Sequence, residues 1–352
     1  MLEPLKAYDL EGLPVSCTRY GSGHINETWL VVTGRPHLYI LQKINSFVFP
    51  DTEGLMQNVI RITQHLRKKV NDPRQALQLV PCRDGAWYQK LGEDTWRLYE
   101  FITDSICLDS AETAEDFRQS GSAFGTFQRQ LADFPAEELT EVIPGFHDTP
   151  KRYQALHRAL EEDKAGRAAS CRAEIDFFLQ REESAGMMTE MLRKGQLPLR
   201  VTLNDTKLNN VMLDAYTRKP LCVIDLDTVM PGLAANDFGD AIRYGASTAA
   251  EDEKNLDLVH LSLPLYQAFT EGFLSACGGS LTPLEKETLP DGARLMTLEC
   301  GVRFLTDYLE GDHYFHISRP EHNLDRARTQ MVLVQEMEAQ MQEMRRIIRE
   351  YQ

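Results

Sequence analysis

Two acidic segments in the second half of the chain constrain its fold more than any other feature. The first, residues 201–214, carries Asp205 and Asn210 five positions apart on a short polar loop that leads into an apolar run. The second, residues 223–227, is an apolar run that closes on Asp225, 20 residues after Asp205. The pattern predicts a loop followed by short buried strands, the last of which ends on an acidic residue.

These polar residues meet the requirements of metal-dependent phosphoryl transfer. In enzymes of that class an Asp on a loop takes up the acceptor hydroxyl, while a nearby Asn and the Asp of the following strand hold the metal on the phosphates. We therefore predict that Asp205 is the catalytic base and that Asn210 and Asp225 are magnesium ligands. Magnesium prefers a few hard oxygen ligands and keeps several waters, so a carboxylate and an amide oxygen are sufficient.

A structural role is the alternative for the same residues. An Asp and an Asn in one turn commonly cap helices and bond to their own backbone. The segment 224–227 favours the metal, because Asp225 and Asp227 are predicted at alternate positions of a strand and would share one face. Two like charges at a strand end are unusual in a structural protein, and a metal would explain them. Asp227 is therefore predicted as a further metal contact.

The size and charge of the chain exclude several classes of function. With 352 residues it can form two domains, or one domain with a large second lobe. Its net charge of −15 argues against nucleic acid or an anionic membrane as the main partner, because both require concentrated Lys and Arg. To bind a negatively charged nucleotide, the chain must then provide a local positive site and a magnesium ion. No run of about 18 apolar residues occurs, and residues 1–6 lack a signal-peptide core. We expect a cytoplasmic monomer that binds neither nucleic acid nor membrane.

The seven cysteines are widely scattered and include no Cys-x-x-Cys pair. Such spacing is poor for a disulfide framework or a zinc site, and it is typical of reduced thiols packed in a core. We predict no functional role for any of them.

The first hundred residues are predicted to form a small β-rich lobe. Two runs rich in β-branched and aromatic residues, 28–33 and 38–43, flank the hairpin break at 34–36. Asp51 precedes a segment of helical period that continues to Leu66. Further strands are predicted at 78–82, 86–89 and 96–102. Five strands and one helix give a lobe at 1–102.

The remaining residues, 103–352, are predicted to form a mainly helical lobe, so the fold class is α+β. Helices are predicted at 114–134, 148–167 and 173–194, and from 237 to the end. Asp148 with Pro150 is a good helix start. Gly121 and Gly125, four positions apart, indicate close packing. Asn323 is predicted to cap the last helix, whose apolar stripe (Met331, Val334, Met337, Met341 and Ile348) indicates core packing.

A glycine turn near the N-terminus is the candidate phosphate-binding segment. Gly21, Ser22, Gly23 and Asn26 lie just before the first predicted strand, where small residues allow backbone N–H groups to approach phosphate oxygens. The turn is neither a Walker sequence nor a dinucleotide fingerprint. Strand, glycine turn and strand instead match a flap that closes over ATP. Lys43 ends the next strand and is predicted to reach the α- and β-phosphates, with an exposed strand-end lysine as the alternative.

In this order, the glycine turn, the strand lysine and the acidic residues resemble the aminoglycoside phosphotransferase and choline kinase superfamily and, within it, the bacterial N-acetylhexosamine 1-kinases. The resemblance covers nearly the whole chain. It rests on Gly21-Ser-Gly-His-Ile-Asn-Glu-Thr28, Phe146-His-Asp-Thr-Pro-Lys-Arg-Tyr153, Asn204-Asp-Thr-Lys-Leu-Asn-Asn-Val211, Ile224-Asp-Leu-Asp-Thr-Val-Met-Pro-Gly232, Asp237-Phe-Gly-Asp240 and Arg303-Phe-Leu-Thr-Asp307.

The resemblance implies a two-lobed, protein-kinase-like fold and transfer of phosphate from ATP, with Mg²⁺, to the anomeric hydroxyl of N-acetylglucosamine or N-acetylgalactosamine. Asp205 would contact the reacting hydroxyl, and Arg303, Tyr314 and His24 would bind the sugar. Backbone groups from Glu100 to Ile102 would bind adenine. Asp227 would add a metal contact or orient Arg303.

Several details remain open from the sequence. The superfamily usually has His two positions before the catalytic Asp, whereas this chain has Leu203, so apolar packing is expected to brace the loop. The helix partner of Lys43 is left open between Glu53 and Gln57. Arg303 has an alternative role in an ion pair with Glu299, four residues earlier. Asp237 and Asp240 are expected to cap and brace a helix start.

Two other functions compete with the sugar kinase. One is another small-molecule kinase of the superfamily, acting on choline, homoserine, a methylthio-sugar or an aminoglycoside. The other is an inactive member that binds nucleotide as a regulatory module. The presence of Asp205, Asn210 and Asp225 argues against the inactive member.

Overall fold

A computed structural model describes residues 3–21, 23, 25–35 and 37–351. The chain divides into two compact units. The first unit contains residues 1–107, 133–144 and 210–231, and the second contains 108–132, 145–209 and 232–352. The segments 133–144 and 210–231 thus group with the β-rich N-terminal part, and the predicted lobe boundary at residue 102 stays a prediction.

A five-stranded antiparallel sheet forms the centre of the first unit. Its strands are β1 (Pro14–Arg19), β2 (Glu27–Thr33), β3 (Leu38–Ile44), β4 (Gln89–Leu91) and β5 (Asp94–Glu100), in the order β1-β2-β3-β5-β4. The predicted strands at 28–33, 38–43 and 96–102 correspond to β2, β3 and β5. Strand β1 was not expected, because its sequence alternates weakly.

Two predicted strands are wrong. Residues 78–82 make isolated bridges, including Val80 N–H to Leu98 C=O at 2.8 Å, and no continuous strand. Pro81 has no N–H to donate, which interrupts the ladder there. Residues 86–89 follow a tight turn at Gly85, whose φ is +87°, and strand β4 begins only at Gln89.

The two faces of the sheet have different partners. One face packs against the N-terminal segment in an apolar cluster that includes Leu5, Tyr8, Leu41 and Leu98. Helix α1 (Thr52–Arg67) covers the other face, where the Thr95 hydroxyl donates to the Thr52 hydroxyl at 3.2 Å. Helix α1 begins as predicted, because the Asp51 carboxylate accepts the Gly54 N–H.

A smaller antiparallel sheet completes the first unit. It contains β6 (Ser105–Ile106), β8 (Val211–Asp214) and β9 (Pro220–Val223), in the order β6-β8-β9. An ion pair between Arg74 and Asp214 at 3.1 Å ties the turn after β8 to residues 73–75. Strand β10 (Met230–Gly232) lies where the chain passes into the second unit.

The second unit is mainly helical, which confirms the α+β class. Besides the short strand β7 (Arg200–Thr202) it contains nine helices among the described residues: α2 (Ala114–Gln130), α3 (Thr149–Glu162), α4 (Arg172–Leu179), α5 (Glu182–Ala185), α6 (Met187–Arg193), α7 (Ala234–Gly245), α8 (Leu263–Cys277), α9 (Pro283–Glu310) and α10 (His322–Glu350). None of the helices in the described ranges is both long and apolar enough to cross a membrane.

Three helix predictions are corrected. The predicted helix at 173–194 is broken into α4, α5 and α6, because the Arg181 side chain caps the Phe177 carbonyl at 3.0 Å and Gly186 is a weak helix former. Asn323 lies within α10 and donates to Asp307, so it is not the cap. The helix at 114–134 ends at Gln130.

Helices α2 and α8 pack closely, as the spacing of Gly121 and Gly125 predicted. A Cβ added at Gly121 would lie 2.3 Å from the Phe269 carbonyl oxygen, and one at Gly125 would lie 2.3 Å from that of Phe273. The two backbones are therefore in direct contact, and no larger residue fits between them.

Candidate active site

In the first unit, the β8–β9 hairpin brings Asn210 next to Asp225. Val211 pairs with Val223, and one step further the Ile224 N–H donates to the Asn210 carbonyl at 2.9 Å. The two predicted metal ligands thus leave adjacent strand ends. The strands form here because both runs are apolar and buried, so they end where the polar residues begin.

Asp225 and Asp227 do not share a strand face, contrary to the prediction. Strand β9 ends at Val223, Asp225 has a left-handed backbone with φ of 57°, and a 3₁₀ turn follows at Leu226–Thr228. Asp is one of the few residue types that tolerate this conformation. The turn separates the two carboxylates: Asp225 is exposed, whereas Asp227 is only 2% exposed.

The buried Asp227 carboxylate is held by two side chains of the same unit. Its Oδ1 lies 2.5 Å from Nη1 of Arg97, and its Oδ2 accepts a hydrogen bond from the Asn26 amide. Arg97 in turn donates to Oε1 of Gln42 from Nε and Nη2, at 3.0 and 2.8 Å. These contacts account for Asp227 without a metal, and the arginine that it holds is Arg97.

The glycine turn is tied to the same acidic loop. The Tyr20 N–H donates to Thr28 C=O at 3.0 Å and closes the turn, and Asn26 Oδ1 accepts the Asn45 N–H at 3.0 Å. Gly21 has φ of +78°, a conformation that favours glycine, and a Cβ at Gly21 or Gly23 would meet nothing within 4 Å. Ser22 and His24, the other predicted contacts in this turn, lie outside the described residues.

Lys43 lies on the opposite face of the sheet from Arg97. Its ammonium is 2.8 Å from Asp94 and 3.9 Å from Glu27. Of the two candidate partners on α1, Glu53 instead pairs with Lys90. The structure therefore does not bring Lys43 together with the acidic loop, and the residue of β3 that faces Arg97 is Gln42.

The predicted adenine contacts, Glu100 and Ile102, lie at the end of β5. The Glu100 N–H donates to Gln78 C=O at 2.9 Å, and the Ile102 carbonyl accepts the Ser105 hydroxyl at 2.8 Å. The Glu100 carboxylate lies 2.5 Å from Nε2 of His37. An adenine bound here would have to use the other backbone groups of this segment.

In the second unit, Asp237 holds the loop that carries Asp205. Its carboxylate oxygens accept the N–H groups of Leu203 and Asn204 at 2.9 and 2.8 Å, and Oδ2 also accepts from the Gln128 amide at 3.0 Å. Burial raises the pKa of Asp237 to about 6. Leu203 is itself fully buried, as expected for apolar bracing. Asp237 thus braces the Asp205 loop from within α7. The sequence had predicted only that it caps and braces a helix start.

A second acidic residue of α7 supports the other end of the loop. Asp240 Oδ2 accepts the Thr206 N–H at 3.0 Å, and its Oδ1 is bound by Arg243 at 3.1 Å. The Lys207 ammonium lies 3.0 Å from Asp205 Oδ1. Burial acts to lower the pKa of Lys207, but the charges of Asp205 and Asp240 outweigh it and raise that pKa. Lys207 is a candidate site residue that sequence reasoning missed, although it stands two positions from Asp205.

Arg303 on α9 lies among aromatic rings of the second unit. Its guanidinium carbon is 5.4 Å from the ring centres of Phe146 and Phe315 and 5.7 Å from that of Tyr314, whose hydroxyl lies 3.5 Å from Nη2. The Asp307 carboxylate accepts the N–H of Tyr314 at 2.7 Å and thereby holds this loop. Arg303 and Tyr314 are therefore brought together, as predicted for a shared acceptor site.

The alternative ion pair between Glu299 and Arg303 is absent from the described part of the chain. Glu299 Oε1 lies 2.8 Å from Nδ1 of His147, and Oε2 accepts the Thr149 hydroxyl at 2.7 Å. Burial alone would raise the pKa of Glu299, but the charge and hydrogen bond of His147 outweigh it and lower that pKa.

The donor chemistry of the acidic loop fits a magnesium ion bound mainly through phosphate. No cluster of three or more His, Cys, Asp or Glu side chains suited to a metal occurs among the described residues. Asp225, exposed on a left-handed turn, and the amide oxygen of Asn210 are hard oxygen donors on adjacent strand ends. A magnesium–nucleotide complex needs only one or two such protein ligands.

The sequence pattern of the phosphotransferase enzyme family matches residues 16–271 of the chain. The matched range includes the glycine turn, the Asp205 loop, the acidic hairpin and Asp237. Arg303 and Tyr314 lie beyond it.

The fold is also similar to solved structures. An aminoglycoside phosphotransferase from Alicyclobacillus acidocaldarius gives a TM-score of 0.63 at 12% identity, covering 98% of this chain and 95% of that one. A microcompartment-associated aminopropanol kinase gives 0.58 at 16% identity, covering 97% of each chain. A choline kinase from Cryptosporidium parvum gives 0.55 at 13% identity, covering 93% and 90%. At these identities the likeness shows a shared kinase-like fold.

Proposed function

We propose that this chain, which belongs to the phosphotransferase enzyme family, phosphorylates the anomeric hydroxyl of an N-acetylhexosamine with ATP and magnesium. The observation that carries the transferase part is the braced loop of Asp205, in which Asp237 and Asp240 hold the backbone on both sides of the carboxylate. Such fixed geometry is what phosphoryl transfer requires, because catalysis there depends mostly on positioning and charge neutralisation.

In this proposal the protein residues divide the work of an in-line transfer. Asp205 orients the sugar hydroxyl and accepts its proton as the oxygen–phosphorus bond forms, and ADP leaves without a covalent enzyme intermediate. Asn210 and Asp225 would hold magnesium, which neutralises charge on the phosphates when bound. Lys207, beside Asp205, adds a positive charge next to the reacting group.

The glycine turn and the end of β5 are the proposed nucleotide contacts. Gly21 and Gly23 would let phosphate oxygens approach the backbone, because neither carries a side chain and an added Cβ would meet nothing within 4 Å. Adenine would bind to backbone groups between Glu100 and Ile102 other than the N–H groups of Glu100 and Phe101, which donate to Gln78 and Leu38. Lys43 is left out of the proposed set, because its ammonium is engaged on the other face of the sheet.

The charge around Arg303 supports a neutral acceptor over a cationic one. Arg152 donates to the Phe146 carbonyl at 2.6 Å, and Arg303 lies over the ring of the same Phe146. Burial and, after it, the charge of Arg303 lower the pKa of Arg152. A quaternary amine or an aminoglycoside would be repelled there, whereas sugar hydroxyls and an acetamido oxygen can accept from both groups. The aromatic rings around Arg303 can pack against the apolar face of a sugar ring.

A phosphate-transfer screen tests the proposal. The purified protein is offered ATP, magnesium and, in turn, N-acetylglucosamine, N-acetylgalactosamine, choline, homoserine and an aminoglycoside. We expect turnover with at least one N-acetylhexosamine, and phosphorus NMR should show the phosphate on C1. Turnover confined to a cationic acceptor would transfer the assignment to another small-molecule kinase. No ATP consumption with any acceptor would favour a nucleotide-binding module.

A further inference from the structure

The positive charge that faces the acidic loop in the first unit comes from strand β5. Gln42 of β3 lies opposite Arg97 of β5 and opposite Thr28 of β2 in the sheet register. Side chains alternate between the two faces of a strand, so Gln42 and Arg97 share the face that α1 covers. Lys43, one position later, points to the other face, where it meets Asp94.

Arg97 is deeply buried and uses its whole guanidinium group. It is 1% exposed, and its nitrogens contact Asp227, Gln42 and, at 3.9 Å, the sulfur of Met56 on α1. Its guanidinium carbon lies 5.2 Å from the centre of the Tyr99 ring. The planar guanidinium group of arginine has several donors in fixed directions, so it can bind Asp227 and Gln42 at the same time. The ammonium group of a lysine lacks this geometry.

The contacts of Arg97 lead to both segments proposed to meet the nucleotide. Asp227, its ion-pair partner, stands two residues after the proposed magnesium ligand Asp225. The same carboxylate accepts from Asn26 of the glycine turn. Through Asp227, the Arg97 guanidinium is therefore connected to both segments.

We propose that Arg97 is a positioning residue for the magnesium–nucleotide site. It holds Asp227, and through Asp227 it fixes the backbone of Asp225 and the amide of Asn26. In this arrangement the cation on the face of the sheet that α1 covers is Arg97 of strand β5, and the residue opposite it on strand β3 is Gln42. The inference rests on the ATP and magnesium part of the proposed function and is independent of the acceptor.

The test compares variants on the two faces of the same sheet. Arg97→Lys keeps a positive charge but loses the planar guanidinium group. Arg97→Met with Asp227→Asn removes both charges, so no buried charge is left unpaired. Lys43→Met removes the cation of the opposite face, and Lys90→Met, in an exposed pair with Glu53, is the surface control. Each is measured for thermal stability, for Mg²⁺-dependent ADP binding by calorimetry, and for the Mg²⁺ concentration that gives half-maximal rate.

We expect Arg97→Lys to weaken Mg²⁺–ADP binding and to raise the half-maximal Mg²⁺ concentration by about 10-fold or more, the usual scale for losing a residue that orients a metal ligand. The double variant should bind Mg²⁺–ADP weakly, and it should be more stable than Arg97→Met alone, which is prepared and measured beside it because it leaves Asp227 buried without its ion-pair partner. Lys43→Met should change binding by less than about threefold, because Lys43 is half-buried on the other face of the sheet and pairs there with Asp94. Lys90→Met should change it as little, because exposed pairs contribute little.

Three results would overturn the inference: wild-type Mg²⁺–ADP binding by Arg97→Lys, wild-type binding by the double variant, or a loss in Lys43→Met as large as that in Arg97→Lys. If Arg97 were only structural, its substitution would lower thermal stability, but the protein that stays folded would keep the wild-type half-maximal Mg²⁺ concentration. That result would also contradict the inference. Because ADP binding needs no acceptor, failure of the sugar assignment would leave these results interpretable.

Discussion

The Asp237→Asn variant tests whether the loop of Asp205 depends on one buried carboxylate. In the structure this carboxylate accepts three hydrogen bonds, from the N–H groups of Leu203 and Asn204 and from the amide of Gln128. Asn keeps the shape but has a single acceptor oxygen, and its NH₂ group would face a donor. At least one buried loop N–H therefore loses its acceptor.

Two opposing terms set the effect on stability at neutral pH. Each lost hydrogen bond to a charged group costs about 1.5–3 kcal/mol. Against this, removing the charge relieves its burial: the rise in the pKa of Asp237 from 3.8 to about 6 corresponds to about 3 kcal/mol. With one or two bonds lost, we therefore expect a change in the free energy of unfolding at pH 7 between a gain of about 1.5 kcal/mol and a loss of about 3 kcal/mol. The rate should fall far more, by about 100-fold, because the loop shifts.

The pH dependence gives the sharper measurement. Because the folded pKa of Asp237 is raised, the folded state binds the proton more tightly than the unfolded chain between pH 3.8 and about 6. This contribution to stability is fully present below pH 3.8 and is lost as pH rises through about 6. The wild type should thus lose about 3 kcal/mol relative to Asp237→Asn between pH 4 and pH 7.

Urea unfolding of both proteins at pH 4, 5, 6 and 7 provides the comparison, with Asp257→Asn, an exposed Asp of the same unit, as the control. A difference between wild type and Asp237→Asn that does not change with pH would refute the buried-carboxylate reasoning. An Asp237→Asn enzyme with wild-type kcat would show that the loop does not need this support.

Four further variants test the proposed chemistry. Asp205→Asn should keep nucleotide affinity and lower kcat by about 100-fold or more, the scale for a positioned acid–base group; a collapse of ADP binding with kcat spared would make Asp205 a structural residue. Asp225→Ala should abolish turnover at ordinary Mg²⁺ while circular dichroism still shows a folded protein. Because Ala then occupies a left-handed backbone, the free energy of unfolding should fall by about 1–2 kcal/mol. Robust turnover would remove Asp225 from the metal site. Arg303→Ala should raise the sugar KM strongly and leave the KM for ATP nearly unchanged, with Tyr314→Phe giving a smaller change of the same kind; unaltered sugar KM, or phosphate on C6, would contradict the acceptor site.

Local signals in the sequence predicted the elements that are stabilised locally. Asp51 and Asp148 both accept a backbone N–H at the start of the helix that they were predicted to begin. The hairpin of β2 and β3 follows from two β-branched runs around one turn. The adjacency of Asn210 and Asp225 likewise follows from a short hairpin, whose register is fixed by the apolar residues on both strands.

Long-range pairing explains what the sequence could not supply. Arg97 and Asp227 are far apart in the chain, and nothing local marks either as the partner of the other. The choice between Gln42 and Lys43 depends on strand phase, because a shift by one residue exchanges the two faces. Asp237 is likewise far in sequence from the loop of Asp205. Its position at a predicted helix start suggested a helix cap, whereas in the structure its carboxylate binds the loop backbone.

The glycine contacts between α2 and α8 have a consequence for the way in which activity is lost on heating. With backbone against backbone at Gly121 and Gly125, the two helices have no side-chain layer in which to slide. Gln128, on the next turn of α2, donates to Asp237 and to the Val201 carbonyl, both at 3.0 Å. The loop of Asp205 is thereby fastened to the least deformable part of its unit. Inactivation should therefore coincide with cooperative melting of the helices, and the N–H groups of Leu203 and Asn204 should exchange with solvent only as slowly as the helix core.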